Sequence, residues 1–250
     1  MASPDVVDVG LSASVGSVAM MGIATRPEQA GSIVSRHHPL GVSTGYMQDL
    51  RGNWERQVAA AWEISPFAIE LSSLSETELP SLGEYLGSAQ SLPFRYISIH
   101  GPSKQRELPE RELVVELGKL AGYADGVVMH PDTFERPELY RPLGHKLLLE
   151  NMDARKPTGR TSEELAATFA ELPEAGFCFD IAHAWSIDPE MSVASELLDR
   201  FGDRLRHVHL SSLSPDLHHV TLTVEHEELF RSTLERCVDV PWIFEAPPPR

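Results

Sequence analysis

The sequence predicts an α/β fold, a single (β/α)8 TIM barrel with a short N-terminal extension, on three observations. The chain has 250 residues, of which 42% are hydrophobic and 23% charged, and this suits one well-buried domain of barrel size. Short apolar runs alternate eight times with stretches of helical periodicity, as in a parallel sheet with helical crossovers. Six of these runs end in a histidine or an acidic residue, and barrel active sites are built at the carboxyl ends of the strands.

The eight apolar runs are predicted to be the barrel strands. The dipeptide at 101–102 breaks the third run, and Pro131 stops the fourth. The sixth run, 177–183, is the most informative because it delivers Asp180 and, three residues later, His183. The predicted strands are 40–44, 67–71, 95–100, 126–130, 146–150, 177–183, 205–210 and 241–245.

Helical periodicity and capping residues mark the stretches between the strands. Asn53 is a favourable N-cap, and Trp62 is among the apolar residues expected to pack the helix that follows. Thr161 and Glu164 form a capping box at the start of a later helix. The predicted helices cover about 53–62, 76–86, 110–123, 137–143, a stretch from 161, 192–201 and 225–237. These elements place a barrel domain at 39–250, after an N-terminal extension, 1–38, of no assigned role.

Composition narrows the classes of function. The formal charge of -16 and the isoelectric point near 5.0 argue against a broad basic face for nucleic acid, because such binding depends on neutralising phosphates. Two cysteines, Cys178 and Cys237, are too few for a disulfide framework, which favours a cytoplasmic location. No apolar run approaches the ~20 residues of a membrane span, so no membrane partner is expected. The oligomeric state stays open.

Nine side chains at or after the strand ends are candidate metal ligands. Imidazoles mixed with carboxylates suit zinc, manganese or iron, and differ from the all-oxygen set that calcium prefers. Nine ligands exceed what one ion needs, so we expect two or three ions with shared carboxylates. Such a centre can activate water and stabilise both oxygens of a phosphoester displacement. The nine candidates are His100, His130, Glu150, Asp180, His183, His209, Asp216, His218 and Glu245.

The order of these motifs resembles the xylose-isomerase-like TIM-barrel superfamily, which includes endonuclease IV and the sugar isomerases and epimerases. The resemblance spans about 40–247, and the ligand pattern is most similar to endonuclease IV (AP endonuclease family 2). That family binds three zinc ions at the matching positions and cleaves the phosphodiester 5′ to an abasic site. The matching motifs are His100, His130-Pro131, Glu150-Asn151, Asp180 with His183, His209-Leu210, Asp216 with His218 and His219, and Glu245.

Two departures keep a sugar isomerase or epimerase open as the alternative. The loops at 70–73 and 101–104 lack the arginine-bearing and aromatic loops with which endonuclease IV enters DNA, and Glu70 looks more like the isomerase branch. Isomerases of this superfamily place a Glu, Asp, His, Glu quartet at the positions of Glu150, Asp180, His209 and Glu245, and bind one divalent ion, often manganese. The additional histidines His100 and His130, with the pair Asp216 and His218, favour the multinuclear hydrolase.

The function predicted from the sequence is therefore a metal-dependent phosphoesterase, with two or three zinc ions and with Glu150, Asp180 and Glu245 as catalytic residues. Its substrate would be a small phosphodiester or phosphomonoester, with abasic DNA as a further candidate. The alternative is a single-metal isomerase or epimerase acting on a small polyol or ketose, and a third reading is a non-catalytic metal-binding barrel. His219 could replace His218 as a ligand, and His207 could be a hydrogen-bond donor behind His209. Candidate substrate-binding residues are Glu70, Lys104, Arg155, His207, His219 and Trp185.

Overall fold

The computed structural model describes residues 1, 32–34, 39–89, 91–104 and 106–249. The chain from Ser32 onward forms one compact unit. The predicted N-terminal extension lies outside the described residues except for residue 1 and 32–34. Within this short piece Val34 is buried, and its backbone N–H donates to the Glu227 carboxylate at 3.1 Å. The compact unit thus begins ahead of the predicted boundary at residue 39.

Eight parallel strands close into a barrel, which confirms the predicted fold. Every predicted strand is present, with ends that shift by at most three residues. The order around the barrel is β1-β10-β7-β6-β5-β4-β3-β2, and β8 and β9 pair separately as an antiparallel hairpin. The strands are β1 (Leu40–Ser43), β2 (Ala68–Ser72), β3 (Tyr96–His100), β4 (Gly126–Met129), β5 (Leu147–Glu150), β6 (Gly176–Asp180), β7 (Leu205–Leu210), β8 (Ser212–Leu213), β9 (His219–Val220) and β10 (Trp242–Phe244).

Helices cover the outside of the barrel. The crossover between β4 and β5, Pro137–Lys146, is 3-10 helix interrupted by a kink at Gly144, whose φ of 55° is not helical, and Pro142 also lies within it. Trp62, expected to pack inward, is 40% exposed and meets the Phe94 ring edge-on. The α-helices are α1 (Trp54–Ile64), α2 (Leu79–Ser88), α3 (Glu110–Ala121), α4 (Ser162–Glu171), α5 (Ile181–Ile187), α6 (Ser192–Phe201) and α7 (Val224–Leu234). None of the helices in the described ranges is long and apolar enough to cross a membrane.

The segment predicted as one strand at 177–183 contains a strand end and a helix start. β6 ends at Asp180, and α5 begins at the next residue. The Asp180 side chain is the N-cap of α5, because its Oδ1 accepts from the His183 backbone N–H at 2.6 Å. This turn brings the His183 side chain back beside Asp180, with 3.6 Å between His183 Nδ1 and Asp180 Oδ2.

Close packing between β1 and β2 requires glycine at position 41. A Cβ built on Gly41 would lie 2.6 Å from the Ala68 Cβ and 2.7 Å from the Ala68 carbonyl oxygen. The Ile243 side chain of β10 would be equally close, at 2.7 Å. Because backbone oxygen cannot rotate away as a side chain can, any larger residue would push these strands apart at the seam where the barrel closes.

Candidate metal centre

Six barrel strands, or the segments that follow them, bring ligand-type side chains to one end of the barrel. Parallel strands all point the same way, so their carboxyl ends meet at one mouth. Three groups of side chains there have ligand atoms that lie within 4.8 Å of one another. We name them the first ligand group (His100, His130, Glu150), the second ligand group (Glu150, Asp180, His209, Glu245) and the third ligand group (Asp180, His183, His219).

In the first ligand group two histidines face one carboxylate oxygen. Glu150 Oε2 lies 3.2 Å from His100 Nε2 and 3.1 Å from His130 Nε2, and the two nitrogens are 3.2 Å apart. His100 Nδ1 lies 2.9 Å from the Gly101 carbonyl oxygen, which can only accept. A neutral His100 therefore carries its proton on Nδ1, and this leaves the Nε2 lone pair free for a metal.

The second ligand group places three carboxylates around one histidine. His209 Nδ1 is 3.3 Å from Glu150 Oε1 and 3.4 Å from Glu245 Oε1. Burial alone would raise the pKa of Glu150, but the imidazoles of His130 and His209 hold it well below its usual range. Burial raises the pKa of Glu245 well above its usual range, and the carboxylates of Asp180 and Glu150 add to this rise. Without a cation these acids cannot all carry charge at such short range.

The third ligand group is built on α5 and the β8–β9 hairpin. His183 Nδ1 lies 2.9 Å from the Asn151 carbonyl oxygen, so in the neutral ring Nε2 is left free, as at His100. The ring centroids of His183 and His219 are 5.1 Å apart. Burial lowers the pKa of His219 to about 4, which keeps its imidazole neutral near pH 7, the form that binds metals.

One observation, independent of any resemblance, indicates that the side chains of the three ligand groups suit divalent metal ions. Asp180 Oδ2, Glu245 Oε2 and His130 Nδ1 are buried and have no hydrogen-bond partner within the described part of the chain. Buried polar atoms are almost always satisfied, so unpartnered carboxylate oxygens facing histidines indicate that a cation belongs between them. Glu150 belongs to the first two groups and Asp180 to the last two, so the three groups form one continuous cluster.

Asp216 and His218, predicted as ligands, are not brought into the ligand groups. Both are exposed on the turn between β8 and β9, and His218 lines the cavity without belonging to any of the ligand groups. Leu217 adopts a left-handed φ of 57° in this turn, and β9 starts at His219, which pairs with Leu213. His219 is therefore the residue that reaches the cluster, with its Nδ1 3.4 Å from Glu245 Oε2. This is the alternative that the sequence left open.

Three of the candidate substrate-binding residues lie elsewhere. Glu70 and His207 are fully buried beneath the second ligand group and do not reach the cavity. Trp185 packs on His226, with ring centroids 4.4 Å apart, and is absent from the cavity wall. A fourth cluster, Cys178 with His207 and His209, also lies in this buried region. Its thiol is neutral, because burial raises the pKa of Cys178 well above its usual range.

The cavity above the ligand groups has a volume of about 640 Å³ and three cationic side chains on its wall. Arg155 is held by Asp153, with Nη2 2.7 Å from Asp153 Oδ2, and Lys156 is held by Asp132 at 2.8 Å. The third is Lys104, for which no ion pair occurs among the described residues. Sequence reasoning missed Lys156 and the buried Asp153, although both follow the Glu150-Asn151 motif within six residues.

Comparison with known proteins gives one family match and several similar structures. Residues 135–246 match the family model described as xylose isomerase-like TIM barrel. Endonuclease IV from Thermus thermophilus is 24% identical, with 82% of this chain and 90% of that chain covered and a TM-score of 0.51. No curated protein matches the sequence.

Two further solved structures have other activities in their names. D-psicose 3-epimerase from Clostridium cellulolyticum H10 is 12% identical, with coverages of 82% and 84% and a TM-score of 0.54. The probable 3-DHS dehydratase AsbF from Bacillus anthracis is 15% identical, with coverages of 82% and 91% and a TM-score of 0.56. At these identities the structures show a shared fold. The family match at residues 135–246 and the closed eight-stranded barrel agree with each other, and together they support the (β/α)8 fold.

Proposed function

We propose that this protein is a phosphoesterase that depends on two or three divalent metal ions, zinc foremost. The observation that supports this most is the continuity of the three ligand groups through Glu150 and Asp180. A single zinc ion is usually held by four ligands, whereas eight side chains converge here. Ions bound at adjacent groups would supply an activated water and would stabilise the charge that develops on phosphate oxygens.

The side chains around the cavity suit a phosphate substrate. Lys104, Arg155 and Lys156 give cationic contacts at the wall of a chain whose formal charge is -16. Asp153 fixes the Arg155 guanidinium through Nε at 3.0 Å and Nη2 at 2.7 Å, so the fork is held in place before substrate binds. Preorganised arginine forks bind phosphate oxygens in pairs. We propose that Arg155 orients the phosphoester over the ligand groups.

The volume of the cavity and the charge of the chain favour a small phosphoester over DNA. A cavity of about 640 Å³ is in the range of small-molecule sites. Three cations and a net charge of -16 give little of the phosphate neutralisation on which duplex binding depends. Abasic DNA, the substrate implied by the resemblance to endonuclease IV, is therefore the second substrate to test.

The test combines metal content with hydrolysis. Protein purified without added metal is analysed for elements, then assayed with bis(p-nitrophenyl) phosphate, p-nitrophenyl phosphate and a duplex with one abasic site. We expect two or three zinc ions per chain and hydrolysis of a small phosphoester, lost on chelation and restored by zinc. One ion per chain, without hydrolysis of any of the three substrates after reloading, would contradict the proposal.

An isomerase or epimerase is the second candidate, and the geometry of the second ligand group favours it. Its four ligand atoms lie within 4.8 Å of one another and could hold a single ion without the other two groups. In that case Glu150 and Glu245 would transfer a proton on a ketose or polyol. Manganese-loaded protein incubated with a ketose panel distinguishes the two functions, because only an isomerase or epimerase converts the sugar.

A further inference from the structure

Beneath the metal centre the barrel interior is unusually polar. Barrel cores are usually filled by valine, isoleucine and leucine. Here Glu70, Ser98, Cys178 and His207, which we call the inner polar layer, are all 0% exposed. They come from β2, β3, β6 and β7, so the layer crosses the whole barrel. Burying a carboxylate is strongly unfavourable unless its partners compensate, so this layer calls for a functional explanation.

Glu70 is joined to the metal centre through the far side of His209. Glu70 Oε2 lies 3.1 Å from His209 Nε2, while the other ring nitrogen, Nδ1, faces Glu150 and Glu245. The ring of His209 therefore stands between a fully buried carboxylate below and the second ligand group above. A carboxylate can only accept here, so the proton of the neutral ring lies on Nε2 and the Nδ1 lone pair is directed upward.

Another member of the layer holds Glu70 itself. Ser98 Oγ donates to Glu70 Oε2 at 3.0 Å. His207 Nε2 lies 3.6 Å from the same oxygen, and its Nδ1 is 2.8 Å from the Tyr96 hydroxyl. His207 Nε2 also lies 3.2 Å from His209 Nε2, so the two neutral rings cannot both carry a proton on these nitrogens. With the His209 proton on Nε2, the proton of His207 lies on Nδ1 and is donated to the Tyr96 hydroxyl. Side chains of two strands, Ser98 on β3 and His209 on β7, thus hold one carboxylate oxygen in place behind the metal centre.

We propose that Glu70 is a positioning residue for the metal centre, which fixes the orientation and tautomer of His209 so that Nδ1 is ready to bind an ion. This inference rests on the metal centre of the proposed function, but not on the reaction assigned to it. It replaces the substrate-binding role expected for Glu70 from the sequence. A carboxylate behind a metal-bound histidine raises the basicity of the ligand and removes its rotational freedom, and its loss typically weakens metal affinity by about 10–100-fold.

The experiment measures metal affinity in Glu70→Gln by competition with a chromophoric chelator. Gln keeps the shape of the side chain and loses its charge, so we expect about 10-fold weaker binding of one ion, with circular dichroism unchanged. Ser98→Ala, which removes only a donor to Glu70, should give a smaller loss and guards against misfolding of the first variant. Glu227→Gln is the matched control, since it is also a buried carboxylate but accepts from Val34 and Ser32 and belongs to no ligand group.

Two outcomes would overturn the proposal. One is unchanged metal affinity in folded Glu70→Gln. The other is a thiolate-to-cobalt absorption band in cobalt-loaded protein that disappears in Cys178→Ser, because His209 Nε2 would then bind an ion with Cys178 and His207 instead of donating to Glu70. Failure of the proposed function is a separate result, since weaker metal binding in Glu70→Gln can be measured whether or not any phosphoester is hydrolysed.

Discussion

Each shared carboxylate of the metal centre divides its two oxygens between neighbours. Glu150 Oε2 faces the first ligand group, whereas Oε1 lies 3.3 Å from His209 Nδ1 and 3.4 Å from His183 Nδ1. Asp180 uses Oδ1 to cap α5 and leaves Oδ2 without a partner in the described structure. Removing either side chain therefore affects two ligand groups at once, whereas removing a histidine of the first or third group affects one.

Glu150→Gln is expected to lower phosphoester hydrolysis by roughly 10³-fold, or about 4 kcal/mol of activation free energy. The amide keeps the size of the side chain but supplies one neutral oxygen in place of two charged ones, so metal content should also fall by at least one ion per chain. Turnover and elemental analysis measure the two effects. Glu164→Gln, at a surface carboxylate paired with Arg160, is the control. Full turnover in Glu150→Gln would exclude this residue as a bridging ligand.

His219→Ala is expected to remove one ion per chain, because it takes away a member of the third ligand group. His218→Ala, one residue earlier, should leave the metal content unchanged, since its side chain is exposed at the turn. Elemental analysis of both variants after identical purification gives the comparison. The reverse result would show that the turn adopts another register when metal is bound.

The choice between His218 and His219 as the ligand could not be made from the sequence. Ligands at the ends of β3, β5 and β6 converge because the carboxyl ends of parallel barrel strands all lie at one mouth. Their positions therefore followed from the predicted fold. The direction of a side chain in the two-residue strand β9 depends on the turn at Leu217. A strand of two residues is too short to show the alternation of polar and apolar residues from which side-chain direction is predicted. Glu70 was misplaced for a related reason, since a strand residue can face the cavity or the core.

At the scale of elements, the alternation of apolar runs with stretches of helical periodicity predicted all eight barrel strands, because hydrophobic burial sets both the length and the spacing of the strands. The same pattern missed α5, which begins directly at Asp180, since a strand and a short buried helix are equally apolar. It also missed the β8–β9 hairpin, whose strands are too short to show alternation. The barrel was thus predictable, and the small elements that carry His183 and His219 were not.

Gly41→Ala is expected to destabilise the barrel by roughly 1–3 kcal/mol, because the new methyl group would overlap the Ala68 carbonyl oxygen of the neighbouring strand β2. Urea denaturation followed by circular dichroism measures the free energy of unfolding. Gly202→Ala is the control, since a Cβ there meets nothing within 4 Å and the backbone is right-handed helical. It should be neutral or stabilise by about 0.4–1 kcal/mol. Equal stability of the two variants would refute the packing argument.

At the scale of the whole molecule, bound metal should stabilise the fold without being required for it. The apolar core runs around the outside of the barrel sheet and under the helices, away from the ligand groups. The metal centre instead gathers acidic side chains whose repulsion a cation would relieve.

We expect chelation to lower the melting temperature while circular dichroism at 25 °C stays native. Metal at 100-fold above its dissociation constant would contribute about 2.7 kcal/mol to the free energy of unfolding. Calorimetry of protein with EDTA and with added zinc measures the difference. An unfolded apoprotein, or a melting temperature that does not change when zinc is added, would contradict this expectation.

The hairpin that carries His219 has a consequence for the kinetics of metal exchange. Its strands are two residues long, and isolated hairpins of this size are marginal in water. Ligands on β3, β5 and β7 are carried by barrel strands whose backbone is held on both sides, whereas His219 can withdraw when a surface turn opens. An ion bound at the third ligand group should therefore exchange with isotopically labelled zinc well before the others, so that the protein passes through a partly loaded state of defined composition.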